Sequence, residues 1–202
     1  MLQIEHISKS FGSQRVLDDI NFSLAAGEVA GILGNNGAGK TTLLRIVCRL
    51  LAPDSGRVIF DGHTLGDADL AHIGYLPEER GLYRHMRVKE QALYLAQLKG
   101  ITRHDAEASI DDWFQRLGMT SWADKHASEL SKGMQQRLQF VVAVAHRPQL
   151  LILDEPFSGF DADNAEMLRR EIARLAADGT AVLLSTHNTA AAEALCHKTL
   201  QL

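Results

Sequence analysis

The pattern of hydrophobic and polar positions predicts a series of short strands in the first third of the chain. Apolar and polar residues alternate in LQIEHI and VLDDINFSL, which is typical of strands that bury one face. Short apolar runs predict three further strands: GEVAGILG, GRVIFDG and HIGYLP. Among these strands, KTTLLRIVCRLL has the apolar spacing of a helix, and APDSG ends it.

The rest of the chain is predicted to be all helical at first and then to alternate between strands and helices. Residues 88–117 have a helical apolar pattern in two segments, and another helix begins at Ser131 and is closed by Pro148. LLILDEP and TAVLLSTH are typical of buried parallel strands, with the amphipathic helix NAEMLRREIARLAADG between them. The last predicted helix is TAAAEALCHK, and the last predicted strand is KTLQL.

This order of elements predicts one α/β domain spanning residues 1–202. We expect a mostly parallel sheet with flanking helices and an N-terminal antiparallel β part. Residues 1–78 and 139–202 form the predicted core, and residues 79–138 form a helical lobe that is inserted into it.

Composition and charge narrow the classes of protein. The chain has 202 residues, of which 46% are hydrophobic, enough to bury a sizeable core. Its formal net charge of -4 argues against a nucleic-acid partner, because nucleic-acid-binding proteins usually carry a basic surplus. No apolar run approaches the roughly 18 residues that span a bilayer, and the N-terminus lacks the pattern of a signal peptide. Cys48 and Cys196 lack metal-ligand spacing, so we expect buried thiols in a soluble, intracellular protein.

The strongest chemical signal is GNNGAGKT, which fits the phosphate-loop pattern G-x-x-x-x-G-K-[ST] between a predicted strand and a predicted helix. Glycines let backbone N–H groups wrap a phosphate, and the helix N-terminus adds a favourable potential. Lys40 can reach the β- and γ-phosphates, and the hydroxyl of Thr41 can hold Mg²⁺. A plain glycine-rich turn is the alternative, which the strand-loop-helix context disfavours. The candidate ATP-binding residues of this segment are Gly34, Asn35, Asn36, Gly37, Ala38, Gly39, Lys40, Thr41 and Thr42.

Two further strands end in polar side chains that complement the phosphate loop. Asp154 follows the buried run LLIL and can hold Mg²⁺ through water, and Glu155 can orient the attacking water or accept its proton. His187 ends LLSTH, so it should lie at the same sheet edge and contact the γ-phosphate. A lone histidine is more often a packing or surface residue, but this position favours a functional one.

A second phosphate-binding signal lies in LSKGMQQR. Ser131 is a good N-cap for the helix that follows, and Gly133 leaves backbone N–H groups approachable.

These motifs occur in one order: GNNGAGKT, LSKGMQQR, LLILDEP, SGFD and STH. On this ordered set, the chain resembles the ATP-binding subunits of ABC transporters over essentially its whole length. The resemblance implies a P-loop NTPase core and an ATPase that converts ATP and water to ADP and phosphate with Mg²⁺. It implies that Phe11 stacks on adenine, that Glu155 is the catalytic base and that His187 is the switch residue, with Lys40 as the third catalytic residue.

The resemblance also implies a dimer that encloses two ATP molecules. Signature residues Ser131, Lys132, Gly133 and Met134 would complete the site of the second copy, and Asp161 in SGFD would communicate between the two sites. Other implied partners are integral membrane subunits, which would place the protein in the cytoplasm on the inner face of a bacterial cell membrane.

This sequence departs from the family pattern at three positions. Glu78 stands where the family usually has glutamine, and it can still approach Mg²⁺ or the water. Lys132 replaces a usual glycine and Met134 a usual glutamine, but Ser131 and Gly133 remain. The segment EERGLY resembles a subgroup of bacterial ABC-2-type, sodium- or drug-exporter ATPases, which implies export.

Three functions remain open at this point. The first is an ATPase motor that drives separate membrane subunits, contacted by residues 78–83 and the helical lobe. The second is a non-transport ABC ATPase acting on ribosomes or DNA, which usually has two ATPase domains or a long coiled coil. The third is a nucleotide-binding module without catalysis, which would need a damaged acidic pair, whereas Asp154 and Glu155 are both present.

Overall fold

The computed structural model describes residues 1–79 and 81–202, and at residues 190 and 191 it describes the backbone alone. Arg80, within the predicted partner-contacting segment 78–83, lies outside the described residues. Among the described helices, none combines the length and apolar character that a membrane crossing needs.

In the described part of the chain, an antiparallel sheet is formed by the N-terminal third. Its strands are β1 (Leu2–Phe11), β2 (Gln14–Leu24), β4 (Ser55–Phe60) and β5 (His63–Thr64), in the order β2-β1-β4-β5. Strand β5 has only two residues and escapes sequence prediction, because such a segment is too short to show a period.

A parallel sheet forms the centre of the α/β core. Its strands are β6 (Ile73–Leu76), β7 (Leu150–Asp154), β8 (Ala181–Thr186), β3 (Val29–Leu33) and β9 (Lys198–Gln201), in that order. The predicted parallel sheet with an N-terminal antiparallel part is therefore confirmed.

Helices cover the parallel sheet and form the inserted segment. They are α1 (Lys40–Val47), α2 (Val88–Leu98), α3 (Arg103–Arg116), α4 (Lys132–Val144), α5 (Ala162–Ala177) and α6 (Thr189–Glu193). Short 3₁₀ helices occur at Asp67–His72, Thr120–Trp122 and Ala127–Glu129. Helix α6 is shorter than the predicted helix over residues 189–198, because the chain must reach the edge of β3 by Lys198, where β9 begins.

Side chains alternate across the parallel sheet, as a strand requires. Leu150 and Ile152 of β7 pack into a cluster with α1 and the antiparallel sheet. Leu151 and Leu153 pack instead into a cluster with α4, α5 and the helices of the inserted segment. Both faces of β7 are therefore buried, which explains its continuous apolar sequence.

Helix α4 joins the inserted segment to the core. It continues to Val144, beyond the lobe boundary predicted at residue 138. A Cβ at Gly74 of β6 would overlap the carbonyl oxygen of Ala143, so the backbones of α4 and β6 touch directly. In the same segment, Trp113 of α3 packs edge-on against Phe140 of α4, with ring centroids 5.6 Å apart.

Candidate functional site

The phosphate loop connects β3 to α1 at the carboxyl edge of the parallel sheet. Gly37 and Gly39 have φ values of 84° and 103°, in the left-handed region that favours glycine. A Cβ at Gly39 would also lie 2.9 Å from Cγ1 of Val16, closer than real side chains approach. Because Gly39 occupies the N-cap position and has no side chain, the first N–H groups of α1 stay available to an anion.

Lys40, the first residue of α1, lies along this loop. Its ammonium donates hydrogen bonds to the carbonyl oxygens of Gly34 at 2.8 Å and Asn35 at 3.2 Å. The same nitrogen lies 3.6 Å from Oε1 of Glu155, and both side chains are buried. The ammonium is therefore held between the loop and the carboxylate predicted to act as base.

The acidic pair follows β7, with its two carboxylates in different surroundings. Asp154 is only 1% exposed, and its Oδ1 accepts a hydrogen bond of 2.6 Å from the hydroxyl of Ser185. Glu155 has a φ of 48°, uncommon for a residue other than glycine, and its N–H donates to the same hydroxyl at 3.0 Å. Ser185 thus links the two acidic residues, a contact that the sequence analysis missed.

His187 follows β8 and contacts Glu155 directly. Its Nδ1 lies 3.1 Å and 3.0 Å from the two carboxylate oxygens of Glu155. The histidine side chain is 60% exposed, whereas that of Glu155 is 9% exposed. The imidazole therefore bridges the buried carboxylate and the solvent-facing side of the site.

These residues surround a cavity of about 630 Å³. The described residues that line it are Phe11, Gln14, Val16, Asn36, Gly37, Gly39, Lys40, Thr41, Thr42, Glu78, Glu155, Ser158 and His187. Phe11 is 50% exposed, so its ring can meet a flat ligand. Thus the structure brings the predicted aromatic residue, phosphate loop, base and switch residue to one cavity of the size that small-molecule sites have.

Three residues of this cavity were not predicted. Gln14 and Val16 belong to β2, whose alternating pattern marked it only as a strand. Ser158 lies in the loop after Glu155 and is the first residue of the SGFD motif, and its place in that motif was the available signal.

The predicted metal ligands fit a magnesium ion in part. Thr41 and Glu78 line the cavity, and Asp154 has a second oxygen, Oδ2, that is buried without a partner among the described residues. A buried, unpaired carboxylate oxygen is costly and suits a cation or its bound water. Residues 1–79 and 81–202 contain no group of three or more His, Cys, Asp or Glu placed to hold a metal alone. Mg²⁺ generally uses one or two protein carboxylates and takes its other ligands from water and phosphates.

Burial and the negative charge of Asp154 both raise the pKa of two neighbouring side chains, Tyr75 and Cys48. The pKa of the Tyr75 phenol on β6 is raised to about 12, mainly by burial and then by Asp154. Burial also raises the pKa of the Cys48 thiol to about 12, with a smaller contribution from Asp154. Both groups are therefore neutral at physiological pH and add no charge beside the carboxylates.

The signature residues lie elsewhere on the molecule. Ser131 caps α4, and its hydroxyl accepts a hydrogen bond of 3.3 Å from the N–H of Met134. Lys132 is exposed, and Gly133 faces the ring of Phe160. Of the described residues lining the cavity, none comes from 131–134, so the structure does not bring the two phosphate-binding signals together.

Asp161 also lies outside the described lining of the cavity. It caps α5, and its two carboxylate oxygens accept hydrogen bonds from the backbone and side-chain nitrogens of Asn164, both at 2.8 Å. The side-chain oxygen of Asn164 in turn accepts a hydrogen bond from the guanidinium of Arg137 in α4. The SGFD loop is therefore connected to the helix that begins with the signature.

Comparison with known proteins finds matching family models and similar sequences. The family model described as "ABC transporter" matches residues 17–158, and one described as "AAA domain, putative AbiEii toxin, Type IV TA system" matches residues 124–193. The "Uncharacterized ABC transporter ATP-binding protein YhaQ" of Bacillus subtilis (strain 168) is 42% identical over 196 residues, which are 97% of this chain and 66% of that protein. The chain spans 62% to 72% of the length of three such curated relatives.

Two solved structures share the fold. An ATP-binding subunit of an ABC transporter superposes with a TM-score of 0.91 at 30% identity, over 100% of this chain and 85% of that chain. A dimeric bacterial ABC transporter cassette superposes with a TM-score of 0.89 over 100% of this chain and 94% of that chain. Because its identity is 22%, this second likeness supports the fold alone.

Proposed function

The chain belongs to the ABC transporter family, and we propose that it is the subunit that hydrolyses ATP to power transport. The observation that carries this proposal is the cavity that gathers the phosphate loop, Glu155 and His187. A role on ribosomes or DNA is not favoured, because the similar proteins are named as ABC transporter ATP-binding proteins.

ATP binding uses the two ends of the cavity. The adenine stacks on the exposed ring of Phe11, and the phosphates lie in the loop between β3 and α1. There the N–H groups of α1 and the loop donate to phosphate oxygens. The β- and γ-phosphate oxygens replace the carbonyl oxygens of Gly34 and Asn35 as partners of the Lys40 ammonium.

Hydrolysis uses the acidic pair and His187. The oxygen of a water molecule attacks the γ-phosphorus, the bond between that phosphorus and the bridging oxygen breaks, and ADP and phosphate are released. Glu155 orients this water and accepts its proton. The Nδ1 of His187 lies 3.0 Å from a carboxylate oxygen of Glu155, and its other nitrogen contacts the γ-phosphate.

Thr41, Asp154 and Glu78 are the residues that would hold Mg²⁺. When bound, this cation neutralises charge that develops on the phosphate oxygens. Asp154 would contribute Oδ2, which has no partner among the described residues, and Thr41 would contribute its hydroxyl at the start of α1. Glu78, where glutamine is usual in the family, adds a carboxylate to the cavity wall and so strengthens its preference for a divalent cation.

The protein acts as an ATP-sandwich dimer bound to integral membrane subunits on the cytoplasmic face of the cell membrane. The position of residues 131–134 away from the cavity supports the dimer, because a second copy can then supply them. Residues 78–83 and the predicted lobe contact the membrane subunits. The resemblance of EERGLY to exporter ATPases supports export as the direction of transport.

Substituting the base tests the proposed chemistry. Glu155→Gln should keep native ATP affinity and lower kcat by roughly 10²- to 10⁴-fold, because an amide cannot accept the proton from water. ATP affinity and phosphate release are measured on the purified chain, with Lys40→Ala as the variant expected to lose binding. Glu90→Gln, the same change at an exposed glutamate of α2, should behave as the native protein does. Full turnover by Glu155→Gln would refute the role of Glu155, and native ATP affinity in Lys40→Ala would refute the phosphate site.

A further inference from the structure

Ser185 occupies a position between the two acidic residues that no motif marks. It lies on β8, next to β7 in the parallel sheet, and its register partner is Asp154. Its side chain is fully buried. Its hydroxyl oxygen lies 2.6 Å from Oδ1 of Asp154 and 3.0 Å from the backbone nitrogen of Glu155.

The chemistry of these partners fixes the direction of both hydrogen bonds. An ionised carboxylate only accepts and a backbone N–H only donates, whereas a serine hydroxyl has one proton and two lone pairs. The single proton of Ser185 therefore goes to Asp154, and a lone pair receives the N–H of Glu155. Since all three groups are buried, water does not compete for these bonds.

Each of these bonds constrains one carboxylate. The bond to Oδ1 fixes the rotation of the Asp154 carboxylate, and Oδ2 is left without a partner among the described residues. The bond from Glu155 holds the backbone at a φ of 48°, a conformation that costs energy in residues other than glycine. From this backbone the Glu155 side chain reaches Lys40 and His187.

We propose that Ser185 is a positioning residue, whose hydroxyl sets the orientation of Asp154 toward a divalent cation and the placement of Glu155 toward the attacking water. This inference rests on the proposed function and adds to it a residue that touches neither ATP nor water. Its chemical basis is the general one that groups behind a metal ligand fix the direction of that ligand.

A matched pair of variants separates the hydroxyl from the shape of the side chain. Ser185→Thr keeps the hydroxyl. Ser185→Val introduces a side chain of almost the same shape as threonine but without the hydroxyl, and both residues suit a strand. The half-saturating Mn²⁺ concentration, read by electron paramagnetic resonance with a non-hydrolysable ATP analogue, should rise roughly 10- to 100-fold in Ser185→Val. Its kcat should fall by a similar factor, while the threonine variant stays close to native in both.

The nucleotide affinity measured without metal supplies the control. It should be native in both variants, because Ser185 does not line the described cavity. A native chain without ATP binding or turnover would refute the proposed function itself. Native Mn²⁺ affinity and kcat in Ser185→Val, beside an active native chain, would overturn only the role of Ser185.

A variant with a smaller side chain tests the hydroxyl without the risk that an added methyl group fits poorly. Ser185→Ala removes the hydroxyl and adds no atom, so it should reproduce the losses of Ser185→Val even if threonine or valine packs badly. A purely structural serine would lower only the midpoint of thermal unfolding. An alanine variant with native Mn²⁺ affinity and native kcat therefore overturns the proposal.

Discussion

Burial controls the charge of His146, which follows α4 at the base of the parallel sheet. The side chain is 6% exposed, and its Nε2 lies 3.3 Å from the carbonyl oxygen of Ile73. Nδ1 is buried and has no partner within residues 1–79 and 81–202, so a proton there would have no acceptor among them. Burial, with a smaller contribution from the charge of Lys99, lowers the pKa of His146 from 6.5 to about 4.

This lowered pKa predicts a loss of stability in acid. Because the folded protein binds the proton more weakly than the unfolded chain, the contribution of His146 is fully present above pH 6.5 and disappears as the pH falls through 4. A shift from 6.5 to about 4 corresponds to a loss of about 3 kcal/mol in the free energy of unfolding. Urea unfolding of native protein and His146→Gln between these pH values measures the difference in slope.

The exposed His104 provides the control for this prediction. His104→Gln makes the same substitution at an exposed position, and its unfolding is measured over the same pH range. Equal pH slopes in native protein and His146→Gln would show that His146 does not titrate with unfolding.

At the residue scale, the sequence identified the groups that face the cavity better than the groups behind them. Lys40, Glu155 and His187 stand in motifs whose spacing carries a chemical meaning, and all three line the cavity. Ser185 is one polar residue in the strand AVLLST, and its role depends on which strand lies beside β8. Its two acidic partners are 30 and 31 positions away in the chain, so no local pattern could reveal the contact.

Among the helices, α4 is tied to its surroundings by Arg137. Its guanidinium donates to the carbonyl oxygen of Leu117 at 2.9 Å and to the side chain of Asn164, and it lies 5.5 Å from the ring centre of Trp122. Burial lowers the pKa of Arg137, which shows that this guanidinium is partly removed from water. It therefore connects the end of α3, α4 and the first turn of α5.

Removing these donors should loosen α4. Arg137→Met keeps most of the side-chain volume but leaves the acceptors on Leu117 and Asn164 unpaired, so the free energy of unfolding should fall by roughly 1.5 to 3 kcal/mol. Urea unfolding measures this change. Arg103→Met is the matched control, because Arg103 is 74% exposed and, in the part of the chain that the structure describes, pairs across one helical turn with Glu107. Such surface pairs contribute less than about 1 kcal/mol, and equal losses in both variants would contradict the role of Arg137.

At the element scale, long periodic segments were predictable and chain-end segments were not. The apolar spacing of α1, α3 and α5 identified them as helices, since a buried face repeats over several turns. The alanine-rich segment after His187 also predicted a long helix, but α6 ends at Glu193. There Cys196 packs against Gly31 of β3, a tertiary contact that overrides helix propensity.

On the scale of the whole molecule, the fold class followed from the order of elements, and the candidate site followed from the edge at which the strands end. The strands β6, β7, β8 and β3 are parallel, so the residues after them meet at one edge. The position of the signature could not be derived in this way. Ser131 starts a helix of the inserted segment, and no sequence spacing fixes the distance from that helix to the phosphate loop.

The separation of the signature from the cavity predicts that one chain completes the site of another. Ser131→Arg should bind ATP with native affinity yet fail to dimerise, whereas Ser121→Arg, the same change at an exposed turn, should dimerise normally. Dimers are measured by size-exclusion chromatography with light scattering in the Glu155→Gln background, where ATP is not consumed.

Ser131→Arg and Lys40→Ala should each remain monomeric alone with ATP. Their mixture should associate, because the intact phosphate loop of the first chain can face the intact signature of the second. If the signature served the ATP of its own chain, neither chain in the mixture would carry a complete site, and no dimer would form.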